Sequence, residues 1–493
     1  MASTAEAQDD PLADPADPCD AHGLTDADCR RALALAVPEG VLYAAMVGCA
    51  ETWFVADAIR LGASALEQGI VVGLPLFVGA IGPLLVLRWL ARGASRKRLA
   101  VGFVAAQALA LVGLATCDLL GVMTPARVIL GACLYQVCGQ GSTPAWASWY
   151  GDLVPDAIRG SYFSRRTRAV QYSIAASMVC AGFVLQLLEP RTFLAGGTTA
   201  WLPQFAQAGR GFAIIFGAAA AARLGSALLL SLAAEPPFVG LATTTKVAQF
   251  LKTTRGSNAW RIVLGSGGFY AAVYVASPFF VPFMVEVLRF PYLWLMAALA
   301  IQVLLKALLQ QRFGGAIDAH GPRAVWIVAA LACAIVPAPF LWARALPAAD
   351  VAGWPWGGLW VLVSQGFSGV AWGCFEVALF VLILETTFRT TRPHAVAAQS
   401  VLNGFGQLTG SLVGGLFLAL SSRAFRWLFA LSLVLRIAMA FLLPRLVHER
   451  GDRPTIGAKG LLLRIVGMAP GGAILHGYAL PPSTRDPKAT RHD

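Results

Sequence analysis

The run YGDLVPDAIRGSYFSRR at residues 150–166 and the run LETTFRTTRPHAV at 384–396 share one device: an acid, six residues, then an arginine. Asp152 and Arg159 form the first copy, and Glu385 and Arg392 form the second, 233 positions later. Each copy closes a long apolar stretch, so a charged turn has been reused at corresponding places in two related halves. The apolar stretches decide what kind of halves these are.

Of 493 residues, 57% are hydrophobic and 13% charged, with mean hydropathy +0.66; soluble domains carry about 25% charged residues. A hydrocarbon core about 30 Å thick takes roughly 20 apolar residues per helix. Segments of that kind fall near 36–61, 68–90, 99–121, 125–150, 168–188, 210–233, 260–286, 292–311, 324–343, 357–384, 396–419 and 424–445. The predicted fold is all-α integral membrane, with 12 transmembrane helices in two pseudo-symmetric six-helix bundles. The predicted organisation is a disordered cytosolic tail (1–32), an N-terminal bundle (33–234), a cytosolic linker (235–259), a C-terminal bundle (260–446) and a cytosolic tail (447–493).

Orientation follows from the basic residues, because short loops rich in Lys and Arg stay cytoplasmic. Arg88, Arg92, Arg96, Lys97 and Arg98 follow segment 2, and Arg159, Arg165, Arg166 and Arg168 follow segment 4; the opposite loops hold Arg60 and Arg127. An even number of spans then leaves both termini in the cytosol, and the expected location is the plasma (inner) membrane. The net charge of +12 is read as a topology signal, met by anionic lipid headgroups and requiring no nucleic acid. The first 29 residues are acidic and lack the basic start of a signal peptide. After segment 12, the apolar runs of LLLRIVGMAPGGAILHGYALPP are broken by Arg464, Pro470, Gly471 and Gly472, which predicts an interfacial or disordered segment.

The nine cysteines show no metal-ligand spacing, and the six histidines lie in loops or tails. The sequence has neither G-x-x-x-x-G-K-[ST] nor G-x-S-x-G. No cofactor, metal, enzymatic activity or obligate protein partner is expected.

The loop QRFGGAIDAHGPRAV at 311–325 places Gly314, Asp318, Gly321 and Arg323 in a G-x-x-x-D-x-x-G-x-R pattern. Its glycines allow a tight turn between two membrane helices, and Asp318 can sit by a helix terminus or an arginine. With Asp152, Pro155, Arg159 and Gly160 in a D-x-x-P-x-x-x-R-G run, the chain resembles the major facilitator superfamily over roughly residues 33–446, and its sugar-porter-like members in these loops. The loop after segment 2 departs from the pattern: it keeps Gly82 and a basic cluster but has no aspartate at the motif position. Segment 5 lacks the G-x-x-x-G-P-x-x-G-G signature of drug/proton antiporters, and Gly406, Gly410, Gly414 and Gly415 in segment 11 are read as close-packing glycines. The resemblance implies a secondary transporter alternating access between two bundles, with the charged loop residues Asp152, Arg159, Asp318, Arg323, Glu385 and Arg392 latching one bundle to the other.

A second repeat supports the two halves: Phe216 and Arg223 lie seven apart in segment 6, as do Phe429 and Arg436 in segment 12. A charge at a helix centre costs about 2.5–3.5 kcal/mol on insertion scales, so such groups pair or face water. Glu51 and Arg223 each lie twelve residues from an acid at the inner edge, Glu39 and Glu235, which is about 18 Å deep at 1.5 Å per residue. Glu376 and Arg436 lie roughly 14 Å deep by the same reasoning. The expectation is one acid and arginine pair per half, read either as a permanent packing pair or as a carboxylate that releases its arginine and takes a proton during transport.

The resemblance also implies that segments 1, 4, 7 and 10 line a central cavity. Gln136 and Gln140, Tyr270 and Tyr274 with Ser277, and Gln365, Trp372 and Glu376 each fall on one helical face; they are candidates for substrate binding or for interhelical hydrogen bonds. Ser277, Pro278 and Pro282 predict a bend in segment 7. The function expected is secondary transport of a small polar organic solute, a symport if protons are coupled. The alternatives are export of amphipathic or drug-like compounds, or a non-transporting receptor or scaffold of the same fold.

Overall fold

The computed structural model describes residues 26–154, 159–189, 209–238, 251–288, 290, 292–343, 356–387, 392–421 and 424–446. The first half runs α1 (Asp26–Ala50), a 3-10 turn (Glu51–Trp53), α2 (Phe54–Arg60), α3 (Ala65–Gly79), α4 (Ile81–Ala91), α5 (Arg96–Leu119), α6 (Pro125–Leu153), α7 (Arg159–Leu188) and α8 (Arg210–Leu232). The second runs α9 (Asn258–Tyr274), a 3-10 turn (Ser277–Phe279), a helical turn (Phe280–Pro282) and a π-turn (Phe283–Val287), then α10 (Tyr292–His320), α11 (Pro322–Ile335), α12 (Ala338–Trp342), α13 (Trp356–Thr386), α14 (Arg392–Leu420) and α15 (Phe425–Leu446). Joined end to end where a span is broken, these make six spans per half. The chain is thus an all-helical integral membrane protein.

Ten spans are long and apolar enough to cross a bilayer by composition alone. The other two are α6, whose hydropathy is interrupted by Gln136, Gln140, Ser142 and Thr143, and α10, apolar over Trp294–Leu309. Polar residues in a spanning helix are tolerated where it faces protein or water, so α6 is marked as a cavity wall. The first helix starts at Asp26, inside the stretch read as tail, and residues 1–25, most of the linker (239–250) and the tail from 447 lie outside the described residues.

Local chemistry sets the ends. Ser64 accepts from the Glu67 backbone N–H (3.3 Å) while the Glu67 carboxylate accepts from the Ser64 N–H (2.8 Å), a capping box that starts α3. Thr124 caps α6, which begins at Pro125, a position where a missing N–H costs nothing. Gly321, at φ 82°, makes the turn from α10 to α11 foreseen in the G-x-x-x-D loop.

The breaks have causes as well. The Trp53 indole donates to the Gly48 carbonyl (3.1 Å), inserting a side chain into the backbone ladder where α1 gives way to the 3-10 turn. Pro83 has no N–H for the carbonyl of Gly79, where α3 stops and α4 starts. Pro278 and Pro282 fall within the irregular end of the seventh span, the bend expected there.

Within the second half, α14 lies directly on α9. A Cβ at Gly406, Gly410 or Gly414 would stand 2.3, 2.2 and 2.1 Å from the carbonyl oxygens of Gly267, Ala271 and Val275. The four-residue period of these glycines matches the period of the carbonyls, so two backbones approach with nothing between them.

The apolar core divides in a way that gives the conformation. Call the end carrying Arg96, Asp152 and Arg166 the basic end, and that carrying Arg60 and Glu286 the far end. One cluster takes in Trp53, Phe54 and Phe216 of the first half together with Phe279, Phe283 and Phe429 of the second, so the halves share a core towards the far end. Towards the basic end each half has a core of its own, around Trp149 and Leu153 in one and around Trp326 and Phe375 in the other. Trp53 meets Tyr292 edge-on with ring centres 6.1 Å apart, and Gln68 donates to Glu286 (2.9 Å), both bridging the halves at the far end. The protein is closed there, and the space between the halves faces the basic end.

Candidate functional site

Glu51 sits in the broken stretch of the first span, exposed to the space between the halves. Its carboxylate accepts from the Tyr135 hydroxyl (3.3 Å) and from Gln136 Nε2 (3.2 Å), and Gln140 Nε2 donates to Gln136 Oε1 (3.4 Å). Facing it, Tyr270 packs against Trp372 and Tyr274, with ring centres 5.6 and 6.3 Å away. Glu376 is exposed and paired with Lys306. Tyr274 lies within electrostatic reach of both Glu51 and Glu376, so the two acids flank one aromatic wall. Gln365 shares a face with Trp372 and Glu376 but lies nearer the closed far end, where it is buried.

The ion pairs expected from depth are not the ones formed. Arg223 donates through Nε to Gln107 Oε1 (2.7 Å) and through Nη1 to Ser226 Oγ (3.1 Å), with its guanidinium 5.1 Å from the Tyr43 ring. The acid of the first half that an arginine does hold is Glu39, which accepts from Arg166 Nη2 (2.8 Å) and from Ser226 Oγ (2.9 Å). Arg436 reaches no carboxylate in its hydrogen bonds. It donates to Ser432 Oγ (3.0 Å) and to the carbonyls of Cys333 (3.1 Å) and Val273 (2.9 Å), 1% exposed, and so ties α15 to α9 and α11. Depth along an axis fixes height but not direction: Arg223 and Arg436 point into their own bundles, while Glu51 and Glu376 point out of theirs.

At the basic end Asp152 is held by Arg96, which is fully buried and also donates to the carbonyls of Ser148 and Pro236, both at 3.1 Å. Glu235 completes the knot, accepting from Ser95 Oγ (2.6 Å) and the Lys97 N–H (3.2 Å). The contact Asp152 makes is therefore inside the first half, not from bundle to bundle. With the basic ends of the halves apart, the nearest cation is the one on its own bundle. Arg323 opens α11 and Glu385 is exposed near the end of α13. The side chains of Arg159, Asp318 and Arg392 lie outside the described residues.

Sequence reasoning passed over Lys306, Arg96, Arg166 and Glu39 as site residues. Lys306 alone carried a signal, a lysine deep in an apolar segment. It also passed over a cluster at the far end, where Arg60 pairs with Asp57 and with Asp118 (2.6 Å), and Glu189 Oε1 stands 3.8 Å from its Nε. Glu189 also accepts from the backbone N–H groups of Gly209 (2.9 Å) and Gly211 (3.2 Å). Burial pushes the Glu189 carboxyl up to about 7, against those N–H donors and Arg60, which favour its ionised form. Among the described residues no group of acids, cysteines and histidines is arranged to hold a metal ion.

No protein-family model and no curated protein matches the sequence. Solved structures do match it. A mutant of the nucleoside transporter NupG superposes with TM-score 0.66 at 13% identity, covering 84% of this chain and 100% of that one. A partially occluded, inward-open structure of the xylose transporter XylE from E. coli gives 0.60 at 14% identity, over 87% and 100%. A bacterial homologue of the iron transporter ferroportin, inward-facing, gives 0.61 at 12% identity, over 85% and 98%. At these identities the likeness speaks for the fold, and the chain has the major facilitator fold that its loop motifs resemble.

Proposed function

We propose that this protein is a secondary transporter that moves a small polar organic solute through the space between its halves, by alternating access, with proton coupling at Glu51. The observation that carries the reading is Glu51 itself: an acid at a break in a membrane span, open to the cavity and held, among the described residues, by the neutral donors Tyr135 and Gln136. Such a group can take or lose a proton without breaking a salt bridge. Glu376, paired with Lys306, is the second coupling candidate. Gln136, Gln140, Tyr270, Tyr274 and Trp372 supply hydrogen bonds and aromatic faces for a solute. Nucleosides and xylose, named for two of the matching structures, are solutes of this class. In this reading the basic end faces the cytosol and Asp152, Arg159, Asp318, Arg323, Glu385 and Arg392 serve the gate there.

Export of an amphipathic compound is the second reading, and it rests on one feature. An apolar cavity of about 490 Å³ lies among Ile301, Leu305, Leu359, Val363, Phe367 and Val370 of α10 and α13.

Proteoliposomes decide between them. Purified protein is screened for thermal stabilisation by sugars, nucleosides, amino acids and cationic amphiphiles, since a ligand at one hundred times its Kd stabilises by about 2.7 kcal/mol. Hits are then tested for uptake under an imposed pH gradient. A polar hit abolished by Gln140→Ala or Trp372→Ala, with gradient-driven accumulation lost and exchange kept in Glu51→Gln, supports the proposal. Stabilisation by amphiphiles alone supports export, and a polar hit that is bound but never moved sinks transport in favour of a receptor.

A further inference from the structure

The first half holds a polar, open-mouthed cavity of about 180 Å³ lined by its own residues alone, with Glu39, Tyr43, Thr143, Trp146, Arg166 and Arg223 on its walls. Two guanidinium groups and one carboxylate line it, so with all three ionised its wall carries one surplus positive charge. Arg223 is 2% exposed and both its hydrogen-bond partners, Gln107 and Ser226, are neutral. Glu39 bonds Arg166 directly and reaches Arg223 through Ser226, so one carboxylate serves two guanidinium groups, and an incompletely compensated buried charge is costly. An anion entering the cavity would offset that cost.

The donors are placed to receive one. Arg166 spends Nε on the Ala36 carbonyl (3.1 Å) and Nη2 on Glu39, while Trp146 covers the face of its guanidinium at 4.3 Å. Arg223 spends Nε and Nη1, and Tyr43 stands over it at 5.1 Å. The remaining edges, Nη1 of Arg166 and Nη2 of Arg223, make no hydrogen bond among the described residues, and neither does the Tyr43 hydroxyl. Aromatic rings against the faces hold both groups in orientation and leave in-plane N–H donors free, the geometry that suits a carboxylate or phosphate. Access comes from α6: Gln136, Gln140 and Thr143 follow one another at helical spacing, and Thr143 is exposed, so the stripe beside Glu51 leads to this cavity.

We propose that this cavity binds a small water-soluble monoanion, a carboxylate or a phosphate, between Arg166, Arg223 and the Tyr43 hydroxyl. The volume admits the acid group and a short or single-ring substituent; at about 30 Å³ per water it is the space of some six waters. The site does not depend on the transport reading, since its occupancy is an equilibrium property of the first half.

The test is calorimetric titration and thermal unfolding of the full chain in uncharged detergent. The probes are inorganic phosphate, lactate and benzoate, against choline chloride at matched ionic strength. Saturable stabilisation by at least one probe is expected, weakened about 10-fold or more by Arg223→Gln, as loss of a charge-assisted hydrogen bond requires, and partly kept by Arg223→Lys. Tyr43→Phe removes one hydroxyl with little risk to folding and is expected to weaken the same probe about 3- to 10-fold. It decides the matter if the arginine variants fail to fold. Overturning results are no saturable shift up to about 50 mM of any probe, fifty times a millimolar Kd, an equal shift in choline chloride, binding unchanged in Tyr43→Phe and Arg223→Gln, or stabilisation only by an anionic phospholipid in nanodiscs. A protein that carried a neutral solute would still bind the anion, so failure of one reading leaves the other standing.

Discussion

Replacing Gly410 with alanine separates two effects of a methyl group in a membrane helix. In α14 the new Cβ would stand 2.2 Å from the carbonyl oxygen of Ala271 and 3.1 Å from the carbonyl carbon of Tyr274. Both are backbone atoms, so no side chain can swing away; the helices must part. Overpacking of this kind costs about 1–3 kcal/mol, while leaving glycine for alanine in a helix returns about 0.5–1 kcal/mol. The net expectation for Gly410→Ala is a loss of about 1 kcal/mol, the midpoint of a difference that spans about 0–2.5 kcal/mol. Gly102 in α5 supplies the control, because a Cβ there meets nothing within 4 Å. Gly102→Ala should stabilise by about 0.5–1 kcal/mol. Thermal unfolding of both variants in one detergent gives the comparison as a pair of midpoint shifts of opposite sign. Two shifts of the same sign and size would show that α14 does not rest on the α9 backbone.

Arg436→Met is expected to destabilise by about 3 kcal/mol or more, because the Cys333 and Val273 carbonyls lose their donor in a dry interior; a thermal midpoint matching wild type would contradict the clamp. Stability should fall as pH rises from about 4.5 towards 7: the folded Glu189 carboxyl is raised to about 7, so the native state holds a proton the unfolded chain has released. Glu189→Gln should flatten that slope in midpoints recorded across pH, and an unchanged slope would remove Glu189 as its source. Lys306→Met leaves Glu376 without its partner, and the expected outcome is a pH optimum for transport displaced from that of wild type, with an unmoved profile arguing that the pair takes no part in coupling.

The spans were legible because a bilayer demands them. Without water every backbone polar group must be bonded internally, and hydropathy reports where that holds, so the expected segments 99–121 and 210–233 lie on α5 and α8. The partners of charged residues were not legible, because sequence gives height along a helix but not the rotation of one helix against another. Arg96 entered the argument as one of several loop cations fixing orientation, yet it is fully buried and holds Asp152. Glu39 entered as a boundary marker, yet it is the carboxylate bound by Arg166. Asp57, Asp118 and Glu189 sit near the ends of three spans, where acids are ordinary, and only the fold brings them together on Arg60.

The repeat of Phe216 and Arg223 in Phe429 and Arg436 is real in sequence, and the structure divides its use. Both phenylalanines are fully buried, and both arginines bond a serine on their own helix, Ser226 in one half and Ser432 in the other. Beyond that the halves differ. Arg436 spends its other nitrogens on carbonyls of two neighbouring helices and is sealed; Arg223 keeps one nitrogen unspent on the wall of a polar cavity. A guanidinium whose three nitrogens all bond within the protein, as those of Arg436 do, holds helices together, whereas one with a nitrogen free beside a cavity can bind what enters. If duplication supplied the same arginine twice, the first half is where its charge stayed available, on the wall of the cavity it shares with Glu39. The second half then contributes the aromatic wall and the pair of Lys306 with Glu376, so the asymmetry of the two arginines predicts that charge-altering substitutions in the first half act on ligand binding and those at Arg436 act on stability.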